Sequence, residues 1–421
     1  MIYVHIPFCR SFCTYCDFYS EVASRCGADE QQKFGLFAQA LCREAALRSG
    51  EITDGMNTLY IGGGTPSVLP LYVFSDLLKV LQEHGHGGPF REFTVEVNPE
   101  DIVQKGEEYV KGLLDLGVNR ISMGVQSFDD GILRWMNRRH DSATARQAYR
   151  ILENAGVKNI SIDLIFGLSQ LTDDQWNETL DKALSISSCG NLPQHISAYQ
   201  LSVEPGSALA QLVDRGQWSE ASEELCSRQY DILCGRLRDA GYHHYEISNF
   251  AQPGYEAVHN SAYWSHQPYV GLGPGAHSFL YSSAIDARCV EMAFSHPRVG
   301  GGAQLCWEGA IGTHWRDADK KPIRQWNESD LGMYLKAGQS GDFAAVQGSE
   351  ELTQEQLVME KVMLGLRTAN GVSEEFLRAN CDVEQVDEAL RCSNLVVSVD
   401  GNIRIPEDRF FISDSIISSI I

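Results

Sequence analysis

The stretch YVHIPFCRSFCTYCDFYS, residues Tyr3 to Ser20, runs from a β-branched apolar segment straight into three cysteines, Cys9, Cys13 and Cys16, spaced C-x3-C-x2-C. A cubane 4Fe-4S cluster has four iron corners, and three thiolates in so short a loop hold only three of them. The fourth iron stays open to a small molecule that chelates it and receives an electron, which points to reaction chemistry rather than plain electron carriage. A structural zinc site is the rival reading; it would want a fourth Cys or His and paired C-x2-C spacing. Coincidence also has to be weighed in a chain with 12 cysteines. Cys26, Cys42, Cys189, Cys226, Cys234, Cys289, Cys306, Cys381 and Cys392 show no ligand spacing and read as small buried residues or incidental thiols.

Outward from this loop, the first half alternates strand and helix. Apolar or β-branched runs at Ile2 to Ile6, Thr58 to Ile61, Glu92 to Val97, Arg120 to Met123, Ile160 to Phe166 and His195 to Leu201 read as strands. Between them, Phe34, Phe37, Ala38, Leu41 and Ala45, then Val73, Phe74, Leu77, Leu78 and Leu81, recur at helical spacing. Ser142 is the expected cap of a helix closed by Gly156, and Thr172 with Gln175 makes a capping box for a helix carrying Trp176, Leu180 and Leu184. Strands separated by helices imply parallel βαβ units, an α/β fold that is either an open doubly wound sheet or a partial TIM-like barrel.

The unusual residues fall at the strand ends. The Cys loop follows the first strand, Gly62, Gly63, Gly64, Thr65 and Pro66 the second; Glu96 ends the third, Gln126 lies past the fourth and Asp163 is on the fifth. In parallel α/β folds the carboxyl ends of the strands form one shared face for ligands, so these motifs converge on one pocket. Successive glycines let a ligand approach the backbone without interference from Cβ atoms. Glu96, Gln126 and Asp163 supply acceptors for an ammonium group or for ribose hydroxyls. Singly, each has a bland reading: a tight turn for the glycines, a cap for Asp163, a surface cation for Arg138. Their order behind the cysteines is what makes the set functional.

The cysteine spacing, Tyr15 ahead of the third cysteine, and the GGGTP and GVQSF segments resemble radical S-adenosylmethionine (SAM) proteins. Within them the chain is similar to the branch that holds oxygen-independent coproporphyrinogen III dehydrogenase and the HemW-type heme chaperones, from Tyr3 to about Gly371. The resemblance implies a partial TIM-like (β/α)6 barrel and a 4Fe-4S cluster on Cys9, Cys13 and Cys16. It also implies SAM contacts from Tyr3, Tyr15, Gly63, Gly64, Thr65, Glu96, Gln126, Arg138 and Asp163, with Arg138 pairing the SAM carboxylate.

Charge and composition narrow the partners. With 34 Lys and Arg against 56 Asp and Glu, the net charge of -22 disfavours nucleic acid and anionic membranes. No secretory signal or bilayer-length apolar run is visible, so the cytoplasm is the expected location, where thiols stay reduced. The expected organisation is a barrel over 1–215 and an accessory segment over 216–350, with an insertion near 282–320 that includes Gly300 to Gly302. A smaller, winged-helix-like α+β C-terminal domain follows over 351–421, built on Thr353 to Leu366, Ser373 to Leu390, LVVSV and NIRI. Phe410, Phe411, Ile416, Ile417, Ile420 and Ile421 form an apolar stripe, read as a docking helix, with a peripheral membrane or partner contact as the alternative.

In the accessory segment, a helix is expected over Glu223 to Ala240, and His259 to Trp264 reads HNSAYW, an H-N-x-x-Y-W pattern of the chaperone type. An imidazole is a sound axial ligand for heme iron and aromatic rings pack on a porphyrin, so His259, Tyr263 and Trp264 are the candidate heme residues; His243, His244, His266 and His277 are alternatives. The bland reading is a satisfied loop histidine with core aromatics. The dehydrogenase pattern continues C-G-C after the triad, whereas Cys16 is followed by Asp17 and Phe18, and it has a long leader, whereas only eight residues precede Cys9. The resulting expectation is a heme chaperone with a 4Fe-4S cluster, SAM and heme, delivering heme to acceptor hemoproteins. Whether SAM is cleaved is left open. SAM-dependent radical decarboxylation of coproporphyrinogen III is the alternative, and radical chemistry on a nucleic acid base a weaker third.

Overall fold

The computed structural model describes residues 1–23, 30–53, 55–281 and 321–421. The expected insertion at 282–320, with Gly300 to Gly302, lies outside the described residues, as do Cys26, Cys289 and Cys306. Six parallel strands build the first half: β1 (Ile2–Ile6), β2 (Thr58–Gly63), β3 (Glu92–Val97), β4 (Arg120–Gln126), β5 (Ile160–Phe166) and β6 (His195–Gln200). They lie side by side in chain order. A doubly wound sheet reverses its order at a switch point; a sheet that never reverses curls one way, into a barrel wall. The fold is therefore the partial barrel.

Each strand has two faces of opposite character, because successive side chains point to opposite sides. On β4, Ile121, Met123 and Val125 are buried outward, while Arg120, Ser122, Gly124 and Gln126 line the barrel interior. The same alternation sets Phe93, Val95 and Val97 against Thr94 and Glu96 on β3, and Ile162 and Leu164 against Ser161 and Asp163 on β5. The outer faces pack under α1 (Glu30–Leu47), α2 (Leu71–Glu83), α3 (Pro99–Asp115), α4 (Asp130–Trp135), α5 (Ser142–Ala155) and α6 (Asp173–Leu184). The Thr172–Gln175 capping box starts α6, and Gly156 closes α5 at φ 101°. One expectation is corrected: Asp141, not Ser142, caps α5, its carboxylate accepting from the Thr144 N–H at 2.8 Å. Aspartate accepts as readily as serine and stands one residue earlier.

After α7 (Ala208–Asp214) and α8 (Glu223–Asp239), the antiparallel strands β7 (His243–Glu246) and β8 (Asn249–Ala251) extend the wall beyond β6. Helix α9 (Val258–Trp264) leads to β9 (Val270–Leu272), parallel to β1 at the other edge. A second, antiparallel sheet follows from β10 (His277–Tyr281), β11 (Pro322–Asn327) and β12 (Gln347–Glu351), with α10 (Leu331–Ser340) between the last two. The C-terminal part comprises α11 (Gln354–Leu366), β13 (Val372–Ser373), α12 (Glu374–Asn380), α13 (Val383–Arg391), β14 (Val396–Val397), β15 (Asn402–Arg404) and α14 (Ser413–Ile420). Of the apolar stripe, Phe410, Ile416, Ile417 and Ile420 are buried, Phe410 against His244 and Phe411 against Tyr230, while Ile421 remains exposed. Among the described residues no helix is long and apolar enough to cross a membrane.

The accessory elements are tied to α1 by one buried carboxylate. Glu44 is fully buried and accepts hydrogen bonds from the Gly273 N–H at 2.8 Å, Asn327 Nδ2 at 2.7 Å and Tyr334 Oη at 2.6 Å, beside Arg48 at 3.5 Å. Arg48 in turn donates to Gly271 O, Ser278 and Gln325. Removing one partner from such a network strands the others in low dielectric. Glu44→Ala is expected to destabilise the protein by about 3 kcal/mol, read as a lowered urea midpoint, while a neutral surface control such as Glu83→Ala leaves it unchanged.

Candidate functional site

A cavity of about 580 Å³ opens at the carboxyl ends of β1 to β6. Its mouth is formed by the cysteine loop, which is fixed at both ends and in the middle. Phe8 and Cys9 pair with Glu21 and Val22 as two short parallel strands. In the middle, the Thr14 N–H donates to Met136 O, Thr14 Oγ1 to Trp135 O, and Asn137 Nδ2 to Phe12 O. Cys9, Cys13 and Cys16 all line the cavity. Burial pushes the Cys9 thiol up, and the Cys16 thiol up to about 12. Thiolates there need a cation to stabilise them, which iron supplies. Among the described residues no three His, Cys, Asp or Glu gather around a single ion; a cubane instead takes each thiolate at a separate corner.

The glycine turn and the cysteine loop are built against each other. A Cβ on Gly64 would stand 2.8 Å from Phe8 O and 2.9 Å from Ile6 O, and Gly63, at φ 104°, has the His5 ring 2.7 Å from where its Cβ would be. Glycine is required there by the close approach of two chain segments as much as by any ligand. Thr65 Oγ1 stands 3.3 Å from Cys9 Sγ and accepts from Asn98 Nδ2 at 3.2 Å. Arg138 is fully engaged at its tip: Nη1 donates to Cys13 Sγ at 3.4 Å, and Nη2 to Asn98 Oδ1 at 2.6 Å and Gly124 O at 2.7 Å. Only its buried Nε lacks a protein partner.

Glu96 is held by Tyr60 Oη at 2.6 Å and the Gly63 N–H at 3.1 Å. Burial outweighs both and raises its carboxyl to about 7. Asp163, also raised by burial, accepts from Ser122 at 3.1 Å. Gln126 adopts φ 67°, unusual for a residue with a side chain, at an irregularity in the β4–β5 pairing. Such bulges re-aim a side chain. Tyr15, Gly63, Gly64, Thr65, Glu96, Gln126, Arg138 and Asp163 all line the cavity. Tyr3 does not; its hydroxyl bonds His5 Nδ1 at 3.1 Å, and its ring stands beside that of Tyr60.

Helix α9 seals the barrel wall from below. The Glu92 carboxylate accepts from the N–H groups of Val258 at 2.7 Å and His259 at 3.1 Å, anchoring the helix start with opposite charge. His259 is fully buried, with Nδ1 at 2.9 Å from Thr58 Oγ1 and Nε2 at 3.1 Å from Tyr263 Oη. Burial holds its imidazole well below the usual range, so it is neutral. Both ring nitrogens are thus engaged, and none of His259, Tyr263 and Trp264 lines the cavity; the intervening Asn260 does. Of the alternative histidines, His266 bonds Glu360, His243 bonds Glu256, His244 stacks on Phe250 and His277 on Trp326.

Tyr60, Asn98, Arg120, Ser122, Ser197 and Tyr199 also line the cavity and were missed from the sequence. The signal was there: Arg120 and Ser122 precede Gln126 at the two-residue period of one strand face, as Ser161 precedes Asp163.

Residues 3–183 match the family model of the radical SAM superfamily. The chain is 33% identical over 373 residues to a Synechocystis protein named heme chaperone HemW, covering 88% of this chain and 78% of that protein. It is 34% identical over 282 residues to a Bacillus subtilis protein of the same name, covering 66% of this chain and 70% of that protein. Among solved structures, Escherichia coli coproporphyrinogen III oxidase (HemN), described as a radical SAM enzyme, superposes with a TM-score of 0.72 at 20% identity, over 99% of this chain and 89% of that one. At that identity the likeness concerns the fold, and it agrees with the barrel. The superfamily's cofactors are a 4Fe-4S cluster and SAM. The cysteine loop, the glycine turn and the acidic cavity have the donor chemistry that such a pair needs. By sequence, fold and the furnishing of its strand ends, this chain belongs to the HemW-type family of the radical SAM superfamily.

Proposed function

We propose that this protein binds heme and passes it to acceptor hemoproteins, with a 4Fe-4S cluster on Cys9, Cys13 and Cys16 and SAM beside it. The observation that carries the reading is the H-N-x-x-Y-W helix, built into the barrel wall by Glu92 and Thr58, in a chain about one third identical to proteins named heme chaperone over most of their length. Coproporphyrinogen III decarboxylation is the second reading. It draws on the likeness in fold to HemN, but Asp17 and Phe18 stand where its C-G-C pattern has a further cysteine.

When bound, the cluster offers SAM an open iron and an electron. The chain's own task is to hold the two together. Glu96 accepts the SAM ammonium and Asp163 and Gln126 take ribose hydroxyls; Arg138, expected to pair the SAM carboxylate, has its tip nitrogens on Cys13, Asn98 and Gly124 and supplies positive charge beside Cys13 instead. Changing Cys9, Cys13 or Cys16 to Ala should lower cluster iron and abolish the SAM-dependent change in the EPR signal, while Cys392→Ala leaves both intact. Full iron content in Cys13→Ala would refute the ligand assignment.

Glu96 gives the SAM site a pH dependence. A carboxyl raised from 4.5 to about 7 is protonated below that pH and then loses its ionic attraction for an ammonium group. SAM affinity should fall about tenfold from pH 8 to pH 6, and Glu96→Gln should flatten that profile. The same shift has the opposite sense for the unliganded fold. Its stabilising contribution is complete below 4.5 and lost as pH rises through about 7, because the unfolded chain gives up this proton first.

Heme ligation by His259 requires one ring nitrogen to exchange a hydroxyl partner for iron, and Tyr263 Oη is the partner that a side-chain rotation can release. His259→Ala should therefore reduce heme occupancy or shift its absorption bands. Tyr263→Phe, which frees Nε2, should retain heme at least as well as the parent. Parallel anaerobic assays on one preparation separate the two functions: heme retention with transfer to an apo-hemoprotein supports the chaperone. Conversion of coproporphyrinogen III to protoporphyrinogen IX with SAM and reductant, without heme retention, would replace it.

A further inference from the structure

The deep end of the cavity, away from the cysteines, carries donors that the radical SAM chemistry does not use. Arg120 is almost wholly buried, 1% exposed, yet lines the cavity. Among the described residues it bonds only His195 Nδ1, through Nη2 at 3.4 Å, and Nε and Nη1 have no protein partner. Glu92, Tyr60, Tyr245 and Asp163 are the groups whose fields act on the guanidinium. None of them bonds it: the Glu92 oxygens are taken by Val258, His259 and Thr94, and Asp163 accepts from Ser122 and Ser161. The side chain of Asn260, held at the same cavity by the Glu92 clamp on α9, has no hydrogen-bond partner among the described residues. A buried guanidinium left unpaired, as on Arg120, is costly unless something accepts from it.

We propose that Arg120 and Asn260 form a carboxylate subsite that receives a propionate arm of the tetrapyrrole. The proposal rests on the heme reading. The acceptor is not the carboxylate of SAM, because the amino acid end of SAM belongs at the open iron, beside the cysteine loop. A second ligand has to supply it, and a guanidinium and an amide lining one cavity are donors suited to a carboxylate. A cavity of about 580 Å³ that also receives SAM has room for an arm rather than a macrocycle. The ring thereby stays outside the cavity, on the side of α9, the helix that carries both Asn260 and His259.

The test titrates the cluster-loaded protein with hemin and with hemin dimethyl ester, which keeps the ring and iron but has no carboxylates. The parent should prefer hemin by about tenfold, as expected for a charge-assisted hydrogen bond. Asn260→Asp, at a partly exposed position, should weaken hemin by about that factor, leave the ester unchanged and keep cluster and SAM binding. Arg120→Gln should erase the preference where it folds. Equal binding of both ligands by the parent, or an undiminished preference in Asn260→Asp, overturns this inference and leaves the heme reading standing. A loss of SAM affinity in Asn260→Asp overturns it in favour of a SAM contact. Binding of neither ligand by the parent overturns the heme reading and the subsite together.

Discussion

The polar inner face of a parallel barrel is the constraint on which this structure turns. Parallel strands are usually apolar on both sides because both sides are covered. Here the outer side obeys that rule and the inner side breaks it, with Glu92, Glu96, Arg120, Asp163 and His195 facing the interior. Each such group has to be satisfied locally or by a ligand. Glu92 is satisfied by the start of α9, Glu96 by Tyr60 and Gly63, Asp163 by serines, and His195 by Ser161 and Tyr245. What is left over, on Arg120, Asn260 and Gln126, faces the cavity.

The mouth of the cavity shows how little tolerance the cluster loop has. Gly63 and Gly64 admit Phe8 and His5 at distances that a Cβ would forbid. Thr65 touches Cys9, Arg138 touches Cys13, and Asn98 bonds both Thr65 and Arg138. One set of side chains thus connects the first, second, third and fourth strand ends to two of the three thiols, those of Cys9 and Cys13. Burial pushes the Cys9 thiol up, and Thr65 and Arg138 offset that only in part, so a thiolate there depends on a further cation.

The accessory elements complete the wall rather than forming a separate layer. Strands β7 and β8 cover the exposed edge of β6 and β9 that of β1, so neither barrel edge is left as an unpaired ladder. The C-terminal part binds the same region through the Ile247 N–H to Arg367 O and the Ala369 N–H to Tyr245 O. The tail helix packs on α11 and α13 within that part with Ile416, Ile417 and Ile420 buried, the ordinary use of an amphipathic stripe, while Phe410 and Phe411 just before it reach His244 and Tyr230.

By itself the sequence determined the six strands, the helices between them, the capping box at Thr172 and the order of the motifs along the chain. These depend on local periodicity and on residues a few positions apart, which a linear text contains. It also held the clue to the inner face in the spacing of Arg120, Ser122 and Gln126. Tertiary structure decided what sequence distance hides. His259 follows Thr58 by some two hundred positions, yet the two share a hydrogen bond, and that contact turns the motif's histidine inward and its asparagine toward the cavity. It also decided between barrel and open sheet, because strand order in space is set by how neighbouring βαβ units pack, and the same alternation of elements permits both.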